Sequence, residues 1–176
     1  LRFAEVYPDW SIKFRATAYK SPRDNYMGGK LCEWKFHDGV VLPRLINAYD
    51  LTVGSGIYSD EDRLKIENGI LREYRWMITA FSPSKDSCLN AVPAHMYTAA
   101  LVASVLGDHE LMDWVLLGKE GFTGFAEQYF TRDGFWYETA PSYANMAIDP
   151  IVPLVMALSG YTDPASYQGK DRYDRL

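Results

Sequence analysis

Residues 59–81 read SDEDRLKIENGILREYRWMITAF and carry the clearest helical signal in the chain. Ser59 precedes three consecutive acidic residues, so a capping hydroxyl and first-turn carboxylates would meet the positive end of a helix. Apolar side chains then recur every three or four positions, as on one buried helix face: Ile66, Ile70, Tyr74, Met77 and Phe81. This spacing predicts a helix that begins after Ser59 and ends before Ser82-Pro83-Ser84.

Similar patterns on both sides predict four more helices, joined by short turns. Three of them cover residues 38–53, about 90–106 and about 141–159. The fourth runs from about 109 to 130, although three glycines weaken its middle. Residues 1–36 are irregular and aromatic, and strand signals are nearly absent. Helices of this length joined by short turns favour antiparallel hairpins, so the predicted class is all-α. The periodicity leaves a bundle, a solenoid and a closed toroid open.

The composition limits the classes of partner. A length of 176 residues suits one domain with a real core, and the net charge of −5 argues against nucleic acid as a partner. There is no run of about 18 apolar residues, so no membrane span is predicted. Basic residues outnumber acidic ones between Lys13 and Lys35, which suits either an acidic polymer or a solvated loop. Neither Cys32 nor Cys88 has metal-ligand spacing to a histidine, and the two thiols can pair or stay free.

The segment 133–143 joins two predicted helices and reads DGFWYETAPSY. It combines a tight turn, aromatic side chains, a carboxylate and a tyrosine at the start of a helix. This combination resembles the Asp-Gly-x-x-x-Glu-x-x-x-x-Tyr stretch of the heparinase II/III-like and alginate-lyase families of polysaccharide lyases. In those families the tyrosine that opens the helix is catalytic, so the resemblance implies a catalytic role for Tyr143.

Shorter matches elsewhere agree in order with the same families. Residues 37–58 resemble an early helix of the family's toroid. Residues 87–90 lead into a helix as the family's substrate-binding asparagine does. Residues 160–163 resemble the loop after the catalytic helix. The resemblance covers about residues 28–167, and its most specific part is 133–143.

The implied architecture is part of an incomplete α/α toroid built from antiparallel helical hairpins. We expect an irregular aromatic segment over 1–36 and a single helical toroid segment over 37–176. Because the chain opens at Leu1 without a methionine, in the middle of a pattern, we expect it to be part of a larger protein. The resemblance implies that the rest of the toroid and a β-sheet domain complete that protein, and that it is periplasmic or secreted.

The implied reaction is β-elimination at a uronic acid in an acidic polysaccharide or oligosaccharide. A base removes the proton at C5, beside the sugar carboxylate, and the glycosidic oxygen at C4 leaves. A neutral hydrogen-bond donor to the carboxylate spreads the developing charge. The resemblance assigns Tyr143 as base and acid and Asn90 as the carboxylate neutraliser. No metal motif is present in the sequence, so no metal and no cofactor are expected. From the residues alone, Tyr143 could instead be a packing residue, and Asn90 could be an N-cap.

Four further residues are second-rank candidates for substrate binding. Trp136 could stack on a sugar ring or form a hydrophobic lid over the hairpin, and Tyr137 lies beside it. Glu138 could orient the catalytic tyrosine or a sugar hydroxyl, or be an ordinary first-turn acid. Alginate-lyase relatives have a histidine directly after the asparagine, whereas this chain has Ala91 there. His95 lies five positions after the asparagine, and it either projects toward the site or is structural.

Two other functions fit the same sequence. A glycoside hydrolase on a related α/α barrel, acting on unsaturated uronides, would need two carboxyl groups, for which Asp133 with Glu138 or Asp50 could serve. A non-catalytic helical module could instead bind carbohydrate. Convergence of Asn90 and Tyr143 in one cleft would favour the lyase, and an Asp–Glu pair facing the cleft would favour the hydrolase. Absence of a cleft would favour the binding module.

Overall fold

The structure is a computed structural model that describes residues 1–15, 26–31, 36–80, 89–117, 121–159 and 161. Contacts divide the chain into two compact units, Leu1–Ser87 and Cys88–Leu176. This division lies at a different place from the expected boundary between residues 36 and 37. The expectation of one helical segment within a larger protein stays a prediction.

The first unit combines helices with one small antiparallel sheet. Its described elements are α1 (Arg2–Val6), β1 (Lys13–Arg15), β2 (Tyr26–Gly29), α2 (Phe36–Val53), α3 (Asp60–Ile66), a π-helical turn (Glu67–Arg72) and α4 (Glu73–Ala80). In the sheet, Phe14 lies opposite Met27 and Arg15 opposite Tyr26. The prediction that residues 1–36 are irregular is therefore wrong for these elements. A helix of 5 residues and strands of 3 and 4 are too short to show a period.

The helical run from Asp60 to Ala80 confirms the strongest prediction. The Ser59 hydroxyl accepts from the Asp62 backbone N–H at 3.1 Å, and the Asp62 carboxylate accepts from the Ser59 N–H at 3.3 Å. This reciprocal capping box satisfies two backbone donors that the first helical turn leaves unpaired. The predicted apolar stripe is buried at Ile66, Ile70, Tyr74 and Met77. Its last member, Phe81, and the predicted stop at residues 82–84 lie outside the described residues.

The π-helical turn in the middle of this run was not predicted. Helix α1 packs against it, and a methyl group added at Gly69 would overlap the carbonyl oxygen of Ala4. Lys65 donates to the Glu5 carboxylate at 3.2 Å across the same contact. Glycine is needed at position 69 because two backbones approach closely there.

The second unit is built around a central buried helix. Its described elements are a 3₁₀ turn (Leu89–Ala91), α5 (Val92–Leu106), α6 (His109–Leu117), α7 (Phe122–Tyr129) and α8 (Pro141–Leu158). Helix α5 packs against both α6 and α8, and Ala99, Ala100 and Ala103 are buried. Gly107 ends α5 with a left-handed φ of 63°, which glycine adopts without strain. The predicted helix from about 90 to 106 and its turn are confirmed.

The predicted helix over 109–130 is wrong in its continuity. Helix α6 ends at Leu117, and Gly121 has extended backbone (φ −77°, ψ 178°) before α7 begins. Glycine is less favourable inside a helix than alanine by about 1 kcal/mol, and Gly121 is the N-cap of α7 rather than a residue inside a helix. The sequence predicted a weakened middle, whereas the structure has two separate helices.

The described chain is mostly helical, which confirms the all-α class at the coarse level. The last predicted helix, from about 141 to 159, is confirmed as α8. Most of the loop that follows it lies outside the described residues, as do Cys32 and Cys88.

Candidate functional site

A tight hairpin precedes the helix that carries Tyr143. The Thr131 N–H donates to the Phe135 carbonyl and the Gly134 N–H to the Thr131 carbonyl, both at 2.8 Å. Phe130 and Trp136 then pair as an isolated antiparallel bridge. Gly134 has a φ of 80°, which only glycine adopts readily. The tight turn expected at the beginning of the segment 133–143 is confirmed.

Trp136 is the anchor of this hairpin. Its side chain is 2% exposed, and its ring stacks on Phe125 at 5.7 Å between centroids and meets Phe130 and Tyr137 edge-on at 5.5 and 4.9 Å. The indole N–H donates to the Glu138 carboxylate at 2.7 Å. These contacts support the alternative in which Trp136 packs within the hairpin, because its faces are covered by other rings.

A strained loop leads from Trp136 to α8. Thr139 has a φ of 57°, an uncommon conformation for a β-branched residue. Its N–H donates to the Trp136 carbonyl at 3.0 Å. The N-cap of α8 is Ala140, which has no side chain to cap the helix, and Pro141 follows as the first helical residue. Tyr143 lies in the first turn of α8 with 46% of its surface exposed.

Asn90 lies against the helix that carries Tyr143. Its side chain is 8% exposed, and its amide Nδ2 donates to the Met146 sulfur at 3.8 Å. Met146 follows Tyr143 by three positions on α8, so the two side chains share one helix face. The N-cap of α5 is Ala91, without a side-chain bond. The structure therefore places the Asn90 amide beside α8 rather than at the start of its own helix.

The other candidates for substrate binding differ in how far they are exposed to solvent. Tyr137 is 43% exposed beside Trp136 and next to Tyr129. Glu138 is exposed and accepts the bond from the Trp136 indole. His95 is completely buried on α5, so it has no surface on which a substrate could rest.

The three carboxyl groups nominated for a hydrolase lie at separate, exposed positions of the described chain. Asp133 is exposed in the hairpin turn, and Asp50 is exposed on α2 in the other unit. Glu138 already accepts a hydrogen bond from an indole.

The sequence did not predict a buried polar cluster in the first unit, formed by Tyr7, Lys30, Asp38 and Glu73. Asp38 is fully buried and accepts from the Tyr7 hydroxyl at 2.7 Å and from the backbone N–H groups of Lys30 and Leu31 at 3.3 Å. The Lys30 ammonium, 2% exposed, contacts Glu73 at 2.6 Å and donates to the Tyr7 and Pro8 carbonyls. No sequence spacing links these residues, so only the fold could reveal them.

Burial dominates the electrostatics of this Asp38 cluster. Desolvation raises the pKa of Asp38, while the hydrogen bonds from Tyr7 and the two backbone groups act in the opposite direction. Desolvation and the neighbouring Asp38 charge also raise the pKa of Tyr7. Lys30 lies in the segment with an excess of basic residues, but its burial against Glu73 keeps its charge from an acidic polymer.

In the described part of the chain, histidines, cysteines and carboxylates form no group of three that could hold a metal ion. None of the helices in that part is both long and apolar enough to cross a membrane. An open depression of about 530 Å³ in the first unit is lined mainly by apolar surface of α1 and α3, and no nominated site residue borders it.

The chain was also compared with known proteins. No family model matches it, and no curated protein or solved structure matches it significantly. The candidate site therefore rests on its own residues and their geometry.

Proposed function

We propose that this chain is part of an α/α-toroid polysaccharide lyase that cleaves a uronic-acid polymer by β-elimination. The single observation that carries the proposal is the contact between the Asn90 amide and Met146 on the helix whose first turn carries Tyr143. Asn90 and Tyr143, which the resemblance assigns to one site, are 53 positions apart in sequence (143 − 90), and the Met146 contact sets Asn90 against the helix that carries Tyr143 within one compact unit.

The surroundings of Asn90 suit the binding of a carboxylate. A thioether is a weak hydrogen-bond acceptor, so its bond to the Asn90 amide costs little to exchange. A uronate carboxylate accepts much more strongly, and the amide is neutral and largely desolvated, which strengthens the new bond. When C5 loses its proton, negative charge moves onto the carboxylate oxygens. A fixed donor at that position lowers the energy of the resulting dianion.

The position of Tyr143 suits a base that also acts as an acid. Tyr143 lies in the first turn of α8, and side chains on a helix lean toward its N-terminus. The half-exposed ring leaves the hydroxyl accessible to a bound sugar. One phenol can take the C5 proton and deliver a proton to the C4 oxygen on the same face.

The partner is then an acidic polysaccharide or oligosaccharide, and a periplasmic or secreted location belongs to the same proposal. A hydrolase would need two free carboxyl groups facing a sugar, whereas Glu138 is occupied by an indole N–H. The exposed Tyr137 is the remaining aromatic candidate for stacking on a neighbouring sugar ring.

The test is ultraviolet absorbance of the new conjugated double bond while the full-length protein is mixed with a panel of uronic-acid polymers. We expect absorbance to rise on at least one polymer and Tyr143→Phe to lower the rate by about 10²- to 10⁴-fold, since general acid–base catalysis contributes that much. Tyr129→Phe removes a hydroxyl from the packed ring cluster and serves as the matched control. Release of reducing ends without absorbance would indicate a hydrolase instead.

A further inference from the structure

The start of α8 is not defined by its own N-cap. Ala140 offers no side-chain acceptor, so the first backbone N–H groups of the helix lack the bond that serine or aspartate would give. The helix begins at Pro141, and the chain immediately before it is held by bonds to Trp136. The contacts that hold the beginning of α8 are therefore those of residues 136–140.

Three contacts hold this loop on a buried support. The Trp136 ring is packed among Phe125, Phe130 and Tyr137, so it cannot move without opening the hairpin. Its indole N–H holds the Glu138 carboxylate at 2.7 Å, and its carbonyl accepts from the Thr139 N–H at 3.0 Å. The indole and the carbonyl of the buried Trp136 thus hold Glu138 and Thr139 in place.

The contact at Thr139 carries backbone strain. A β-branched residue with a φ of 57° persists only where its surroundings hold it there. The strain turns the chain so that Ala140 accepts from the N–H groups of both Tyr143 and Ala144 at 3.0 Å. The left-handed Thr139 therefore determines which residue becomes the first of α8.

We propose that Trp136, Glu138 and Thr139 form a clamp that positions Tyr143 by fixing the first turn of α8. Residues three apart on a helix share one face, so the first turn of α8 keeps Tyr143 on the side where Met146 meets Asn90. Unwinding of that turn would release the Tyr143 ring from this face. The catalytic meaning of the clamp rests on the proposed lyase function, but its effect on Tyr143 does not.

The clamp is tested by placing 3-fluorotyrosine at position 143 of the full-length protein and recording its ¹⁹F resonance. Glu138→Ala removes the acceptor of the indole bond, whereas Glu138→Gln keeps a carbonyl oxygen in its place. We expect a single resonance in the parent protein and in Glu138→Gln, and a shifted or broadened one in Glu138→Ala. Glu127→Ala, at an exposed position of α7, is the matched control for loss of charge and should leave the resonance unchanged.

Thr139 gives a second and independent variant. Thr139→Gly allows the left-handed φ without strain and should keep the resonance of the parent. Thr139→Pro fixes φ near −65° and removes the N–H, so it should displace the resonance even though it leaves Glu138 intact. If Thr139→Pro fails to fold, the comparison of Glu138→Ala with Glu138→Gln still tests the clamp. An unchanged resonance in Glu138→Ala would overturn the proposal.

Kinetics separate positioning from a general loss of stability. We expect Glu138→Ala to lower kcat by about 10- to 100-fold with little change in KM, because a misplaced reacting group costs rate more than binding. Glu138→Gln should restore kcat. A fall in kcat that Glu138→Gln does not rescue would overturn the clamp and make Glu138 a substrate contact. Resonance shifts without lyase activity on any polymer would support the clamp and reject the proposed function.

Discussion

The Asp38 cluster of the first unit and the Asn90–Tyr143 site of the second differ in how completely their polar groups are paired. In the cluster, one buried carboxylate accepts three hydrogen bonds and one buried ammonium meets a carboxylate and two carbonyls. In the site, a largely buried amide donates to a thioether and a phenol is half exposed. Full pairing holds a scaffold together, whereas weak pairing leaves a donor ready to exchange partners.

The largest expected effect is on the Asp38 cluster, whose polar groups are fully paired. Asp38→Ala leaves the Tyr7 hydroxyl and two backbone N–H groups without their acceptor. Each buried group left unpaired costs about 1–3 kcal/mol, so we expect the first unit to lose about 3 kcal/mol or more of its free energy of unfolding. Peptide-resolved hydrogen exchange on the intact chain measures this, because it reports the first unit separately. If hydrogen exchange in the first unit is the same in Asp38→Ala as in the parent protein, the cluster has no structural role.

The pH dependence sharpens the same prediction. Burial raises the pKa of Asp38 above its value in the unfolded chain, so the protonated carboxyl favours folding. This contribution is fully present below the unfolded pKa and is lost as pH rises through the folded pKa. We expect the stability of the first unit to fall over that interval relative to Asp38→Asn, which cannot titrate. Parallel pH profiles for the two proteins would show that burial does not control this group.

The second effect concerns Asn90, whose amide is weakly paired. It should appear in the rate of elimination rather than in the free energy of unfolding. Asn90→Ala removes a bond to a thioether, so the free energy of unfolding should change little. If Asn90 neutralises the uronate, the rate of elimination should fall by about 10²- to 10³-fold, as for loss of one donor to a developing anion. Asn90→Asp should be worse still, because it places a charge against the carboxylate. Unfolding curves and absorbance rates on the same samples separate the two outcomes.

A third test uses two glycines of the first unit that differ in surroundings. A methyl group at Gly69 would overlap the Ala4 carbonyl, whereas one at Gly54 would meet nothing within 4 Å. Overpacking typically costs about 1–3 kcal/mol, so Gly69→Ala should destabilise the first unit by that amount. Gly54→Ala should change stability by no more than about 0.5 kcal/mol. Equal stabilities of the two variants would mean that α1 does not pack against the π-helical turn.

These particular residues also show how far sequence reasoning reaches. The capping box at Ser59 and the stripe from Ile66 to Met77 are local patterns, and both are confirmed. The close approach at Gly69 depends on α1, more than 60 positions away in sequence, and no local rule contains it. The same limit applies to Asp38, whose partners come from separate segments of the chain.

In the second unit, sequence reasoning nominated the residues but not their contacts. The family resemblance pointed to Tyr143 and Asn90, and their roles stay predictions. It did not point to Met146, because an apolar residue on a helix usually indicates packing alone. The bond from Trp136 to Glu138 was equally hidden, since it depends on the rotation of the indole ring within the hairpin. A side chain's exposure, and the partner it selects, follow from packing that periodicity does not encode.

The smallest expected effect concerns Met146 and tests the weak pairing directly. Met146→Leu keeps the volume and removes the acceptor, so the Asn90 amide should bind the substrate as well as before. Met146→Gln supplies a strong carbonyl acceptor that competes with the uronate, so kcat/KM should fall by about 3- to 10-fold, or about 0.7–1.4 kcal/mol, the worth of one ordinary hydrogen bond. The absorbance assay measures both variants. Met146→Leu and Met146→Gln differ at this position in the presence of a competing acceptor. Equal activities of the two variants would therefore mean that the contact with residue 146 does not control the Asn90 amide.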